Sequence, residues 1–158
     1  MNRMRPITLA VLSCALIACA EEAPPQRTTS APDRAADTAE ASAWLGAHDA
    51  TPPARWLIAH LPAPARASGA TPDAVTALLQ TAADRYRESP RMIANRAVQL
   101  QTMLAEEGVD EDAVSLLTRL SRLPPANRVS FSADCQHYYN LRVQGLDREQ
   151  ALARLAAS

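Results

Sequence analysis

Cys135, His137, Tyr138, Tyr139 and Arg142 fall within one stretch of eight residues. A thiol beside an imidazole is the pairing used for thiol nucleophiles and for metal ligation. The Cys135-x-His137 spacing fits neither on a helix, because residues i and i+2 point to different sides. No third ligand lies nearby. The residues favour a buried, inert Cys135 packed as a small hydrophobe; an intermolecular disulfide and a reactive thiol are the alternatives. His48, His60 and His137 are scattered and read as surface residues. Two carboxylate groups flank Gly108: Glu106-Glu107 before it and Asp110-Glu111-Asp112 after it. The first ends a solvated helix face, and the second is explained by helix capping and the positive end of the helix dipole. The loop acids do not alternate as a calcium-binding EF-hand requires. No P-loop, GxGxxG, HExxH, GxSxG or CxxC occurs, so no metal and no cofactor is expected.

A helical wheel through Tyr138 places Phe131, Cys135, Tyr138, Tyr139, Leu141 and Val143 on one broad apolar arc. Arg142 falls inside that arc, one turn from Tyr138 and Tyr139. Arg96 is similarly placed on another helix, flanked by Met92, Leu100 and Met103. A guanidinium within an apolar face must reach water or be paired. One reading is an interface built on Arg142, Tyr138, Tyr139, Cys135 and Arg96, since Tyr and Arg dominate interaction hot spots. The other is structural: an Arg stem covering the core edge, or an ion pair with an acid such as Asp134 or Glu107.

The elements that position these residues follow from punctuation. All four Gly (Gly46, Gly69, Gly108, Gly145) fall between apolar-periodic runs. Breakers at the joints and none inside the later runs mark a helical domain. A short helix is expected over Thr38–Leu45. A second, capped by Thr51 with Pro52 at its first position, carries Trp56, Leu57, Ile58 and Leu61. Residues 62–70 read as a loop. Thr71-Pro72 opens a third helix whose Val75, Leu78, Leu79, Ala82 and Tyr86 share one face. Ser89-Pro90 opens a fourth, with Ile93, Ala97, Leu100 and Leu104 inward. Asp110 is expected to cap a fifth, and Ser132 or Ser130 a sixth that ends at Gly145. Asp147 and Gln150 form an Asp version of the capping box for a seventh. Asn127–Ser132 is the only stretch with strand character, and it reads as loop. The sequences after Gly69, Gly108 and Gly145 resemble one another; generic helix-start chemistry explains this better than a repeat. The expected fold is all-α, a small bundle of about five to seven short helices over residues 41–158.

The N-terminus carries an address. Arg3 and Arg5 precede an apolar run from Ile7 to Ile17, which is too short to span a bilayer and reads as an export signal. Its end, Leu16-Ile17-Ala18-Cys19, resembles the lipobox of bacterial lipoproteins. Cys14 is a weaker second candidate. The resemblance implies removal of residues 1–18 by cleavage between Ala18 and Cys19, and acylation of Cys19. Stable anchoring takes at least two lipid chains, which an acylated Cys19 supplies. Ala20 in place of Asp implies the outer membrane, at its periplasmic face, of a Gram-negative bacterium. Residues 19–40 hold Pro24, Pro25 and Pro32 and no large apolar residue. Such a stretch cannot offset its ordering entropy and serves as a flexible linker. Cys14 and Cys19 are thereby removed or acylated, which leaves Cys135 without an intramolecular partner.

Composition narrows the function. The 158 residues carry 16 basic groups, all Arg, against 17 acids. Loss of residues 1–18 takes Arg3 and Arg5 with it and leaves 14 Arg, a net charge of -3. This balance excludes a basic nucleic-acid binder. Three Cys exclude a disulfide-dense scaffold. The expected function is a non-catalytic, lipid-anchored helical module that binds another periplasmic or envelope protein. The alternatives are an immunity or inhibitor lipoprotein acting on a toxin or secreted effector, and a cell-envelope enzyme.

Overall fold

A computed structural model describes residues 42–124 and 130–158. The expected signal, Ala18, Cys19 and the linker lie outside the described residues. Those described belong to one compact unit running from Asp37 to Ser158. They form seven helices: α1 (Pro53–Ala59), α2 (Ala63–Ala67), α3 (Pro72–Tyr86), α4 (Pro90–Glu106), α5 (Ala113–Ser121), α6 (Phe131–Val143) and α7 (Arg148–Ala156). Among the described residues there is no strand, and the fold is the expected all-α bundle. None of these helices is long and apolar enough to cross a membrane.

The longest helix, α4, is the hub. It packs against α1, α3, α5 and α6, and α7 in turn packs on α6. Its inward face carries Ile93, Ala94, Ala97, Leu100 and Leu104, all essentially inaccessible to water. The alanines let neighbouring helices approach closely, and the larger residues fill the layers above and below. Leu57, Leu117, Phe131 and Tyr138 close the core from the surrounding helices. Tyr86 meets the edge of Phe131 with ring centroids 5.2 Å apart, joining the end of α3 to the start of α6.

Most helix starts are as the sequence dictates. Thr71, Ser89 and Ser130 each accept a backbone N–H from the first turn, and Asp147 with Gln150 closes a reciprocal capping box. The stops at Gly108 and Gly145 share one geometry. Each Gly has positive φ, and the next residue donates back across the last turn, Val109 to Leu104 and Leu146 to Leu141. This is the Schellman ending, whose left-handed residue favours Gly.

Five expectations need correction. The helix expected over Thr38–Leu45 is absent from the part described, 42–45. Leu45 is instead held by the buried Asn95 amide, which accepts from Leu45 N at 2.9 Å and donates to Leu45 O at 3.1 Å. A tertiary partner thus replaces local helical bonds. The cap of α1 is Pro52 rather than Thr51, because Pro53 drives the preceding residue into extended geometry. Residues 62–70 are not wholly loop: α2 forms there, and Arg66 donates to Ala59 O and Leu61 O at the end of α1. The cap of α5 is Asp112, not Asp110, because the neighbouring Glu111 side chain is drawn into the interior. Val143, expected on the apolar arc of α6, is 48% exposed at the helix end. Of the stretch read as a loop, residues 127–129 lie outside those described; Ser130 is the α6 cap and Ser132 sits in its first turn.

Candidate functional site

Glu111, whose side chain is 1% exposed, is a buried carboxylate that gathers donors from two helices. Three elements converge on it. Glu111 enters from the extended segment before α5. Tyr138 and Arg142, one turn apart on α6, reach it from one side, and Arg148 reaches it from the first turn of α7. The Tyr138 hydroxyl lies 3.0 Å from Oε1 and 3.2 Å from Oε2. Arg142 Nη2 is 3.2 Å from Oε1, and Arg148 Nε is 3.0 Å from Oε2. Arg142 Nη1 also donates to Leu146 O at 3.2 Å, tying the cluster to the α6–α7 turn.

The electrostatics follow from that arrangement. Burial, and then the Glu111 charge, push the Tyr138 phenol well above its usual range. It is a hydrogen-bond donor to the carboxylate, not a base. The hydrogen bond to Glu111 raises the Arg148 value further. Both carboxylate oxygens are engaged by protonated donors, and the group is spent on holding α5, α6 and α7 together.

Arg142 therefore has a carboxylate partner, as one reading of the sequence required, but the partner is Glu111 and neither Asp134 nor Glu107. The acid of the Asp110-Glu111-Asp112 run that mattered was hidden by its neighbours, which have ordinary roles at a helix start. Tyr138 shares the cluster and is buried; Tyr139 does not. Its hydroxyl donates to Glu107 Oε1 at 3.0 Å on the outside, at the end of α4. Asp134, at 6% exposure, accepts from the Tyr86 hydroxyl at 2.8 Å.

Cys135 and Arg96 lie elsewhere, where α4 meets α6. Cys135 is 6% exposed and is a free thiol. Burial raises its pKa above the usual thiol range, and Asp134 and Glu88 add to the effect, which favours the protonated thiol. With Arg96, Gln99, Met103, Ser132 and Gln136 it lines a cavity of about 80 Å³, room for little more than water. Arg96 is half-buried, donating to Gln99 Oε1 at 2.6 Å with its guanidinium 5.6 Å from the Trp44 ring centroid. Sequence reading passed over Trp44 because it lies before the periodic runs begin.

His60 stacks on Trp56 with centroids 4.0 Å apart and shares a 2.8 Å hydrogen bond between Nδ1 and Trp56 O. His48 is exposed and His137 half-buried. Among the described residues, no three His, Cys, Asp or Glu side chains are grouped so as to hold a metal ion.

Comparison with protein families matches residues 54–158 to MoxZ. That segment runs from the start of α1 through α7 and contains the whole Glu111 cluster. The chain belongs to the MoxZ family. A relative is the "Protein MoxZ" of Paracoccus denitrificans, 33% identical over 139 residues, which covers 88% of this chain and 82% of the relative. No solved structure matches the chain. Within this MoxZ-family domain the candidate interface residues divide in two: Arg142 and Tyr138 are internal, while Arg96 and Tyr139 retain surface.

Proposed function

We propose that this MoxZ-family chain is a lipid-anchored, non-catalytic helical module of the cell envelope, tethered through Cys19 at the periplasmic face of the outer membrane, which acts by binding another envelope protein. The observation that carries the reading is the Leu16-Ile17-Ala18-Cys19 sequence closing a short apolar run behind Arg3 and Arg5. The residues after Cys19 supply a spacer. At roughly 5–6 Å × √n, a flexible stretch of 20 residues has a mean span of about 25 Å, which sets how far the domain can range from the lipid.

The interior supports the non-catalytic part of the reading. Glu111 is occupied by Tyr138, Arg142 and Arg148. Cys135 is buried and held protonated. These are the residues whose types lend themselves best to nucleophilic or acid–base work, and both are committed to packing. Binding to a partner then falls to surface residues such as Tyr139.

Labelling with a radioactive fatty acid tests the anchor. The wild-type chain takes up label and sediments with membranes, whereas Cys19→Ala takes up none and appears in the soluble periplasmic fraction. Equal labelling and equal sedimentation of the two would contradict the proposal.

A further inference from the structure

Trp44 is 43% exposed, an unusual place for a residue of this size in a small bundle. It is also held outward. Its neighbour Leu45 is fixed on both backbone groups by Asn95. Ser42 Oγ donates to Trp44 O at 2.9 Å, and Ser42 O accepts from Trp56 Nε1 at 3.0 Å. The segment carrying the indole is thus pinned before and after it, and the ring projects from a rigid base. Beside it runs an apolar groove of about 290 Å³, lined by Ala43, Val98, Thr102 and Met103 among others. Met92, 41% exposed, stands one turn before Arg96 on α4, with Gln99 and Met103 continuing the same face.

We infer that this face, made by Trp44, Met92, Arg96 and Met103, docks on the headgroup layer of the bilayer in which Cys19 is anchored. The inference rests on the lipid-anchored reading. Three observations select a bilayer as the occupant. Trp44 stands 25 residues after Cys19 in the sequence, so a spacer of this length keeps the face within reach of the lipid. Its chemistry is that of an interfacial anchor: an indole with a polar edge, flexible Met side chains, and a guanidinium on a long apolar stem. No carboxylate lines the groove, and the Arg96 guanidinium, 5.6 Å from the Trp44 ring centroid, is a cation suited to lipid phosphates. A spacer of this length gives a millimolar effective concentration, so even a weak face–membrane contact is well populated.

The chain has two Trp residues, and Trp56 is buried, which makes the test spectroscopic. The full-length acylated protein carrying Trp56→Phe is reconstituted into vesicles of phosphatidylethanolamine and phosphatidylglycerol. Flotation reads the anchor, and Trp44 emission reads the docking. The expected result is flotation with the vesicles, a blue shift of Trp44 emission relative to the Cys19→Ala form in solution, loss of acrylamide quenching, and quenching by lipids brominated on their acyl chains. If Trp56→Phe does not fold, the difference between wild type and Trp44→Phe gives the same signal. Protein that floats while Trp44 remains red-emitting and open to acrylamide overturns the docking and leaves the anchor intact. Protein that does not float overturns both. Trp44 shielded in native envelopes but not in protein-free vesicles also overturns it, in favour of a protein partner.

Discussion

Glu111 is a buried negative charge shared between two guanidinium groups of unequal burial, and the inequality sets what each contributes. The Arg142 side chain is 13% exposed and that of Arg148 is 38% exposed. Removing one partner of a buried pair costs about 3–5 kcal/mol when nothing else compensates, whereas exposed pairs contribute about 0–1 kcal/mol. Because Arg148 and Tyr138 remain on Glu111, Arg142→Ala is expected to cost about 2–3 kcal/mol, and Arg148→Ala no more than about 1 kcal/mol. Urea unfolding of the two variants checks the order, and equal losses would contradict it. A second residue is strained in the opposite sense. Arg87, just past α3, has φ of 55°, and Glu88 N beyond it donates to Ala83 O. This is the ending that Gly supplies at Gly108 and Gly145, adopted here by a residue with a Cβ. A left-handed L residue costs about 1–2 kcal/mol. After allowing for the greater freedom of Gly in the unfolded chain, Arg87→Gly is expected to stabilise by about 0.5–1 kcal/mol, read as a higher urea midpoint with an unchanged slope.

At the scale of elements, what the sequence disclosed is what local chemistry controls. Thr71, Ser89, Ser130 and Asp147 cap helices because a short oxygen-bearing side chain satisfies a first-turn N–H without help from elsewhere in the fold. The Val75–Tyr86 and Ile93–Leu104 stripes are buried because a 3.6 period presents one face. Two of the failures share one cause, which is partners distant in sequence. Leu45 is not helical because Asn95, fifty residues on, takes both of its backbone groups. The α5 cap shifts to Asp112 because Glu111 points inward toward α6 and α7. The Glu111 cluster was half legible: Arg142 stood out as a cation in an apolar arc, but three consecutive acids concealed which of them answered it. Asn95 also gives an element-level prediction. Asn95→Ala strands the polar groups of Leu45, at about 1–3 kcal/mol. Amide hydrogen exchange at Leu45 is expected to accelerate far more than at Leu100 or Leu104. A uniform change across all three would mean that Asn95 does not specifically hold this segment.

At the scale of the whole molecule, two buried phenols tie stability to alkaline pH. Tyr86 and Tyr138 are both raised from 10.0, first by burial and then by Asp134 and Glu111 respectively. The fold keeps these protons above the pH at which the unfolded chain releases them. Stability is therefore full below about pH 10 and falls as pH rises beyond it, because the unfolded state binds fewer protons there. Tyrosinate absorbance of Tyr86 and Tyr138 is expected to appear together with loss of helical circular dichroism, and Tyr138→Phe should weaken the alkaline dependence. Below that pH these two phenols stay protonated in both states and add no pH dependence to stability. In the proposed function the role of the bundle depends on where it is held, and that reading rests on one sulfur, that of Cys19. Tandem mass spectrometry of the mature N-terminal peptide from native membranes addresses that sulfur directly. The account predicts a chain beginning at Cys19 with a diacylglycerol thioether on that residue; an unmodified Cys19 thiol, or a mature chain that begins anywhere else, would contradict it.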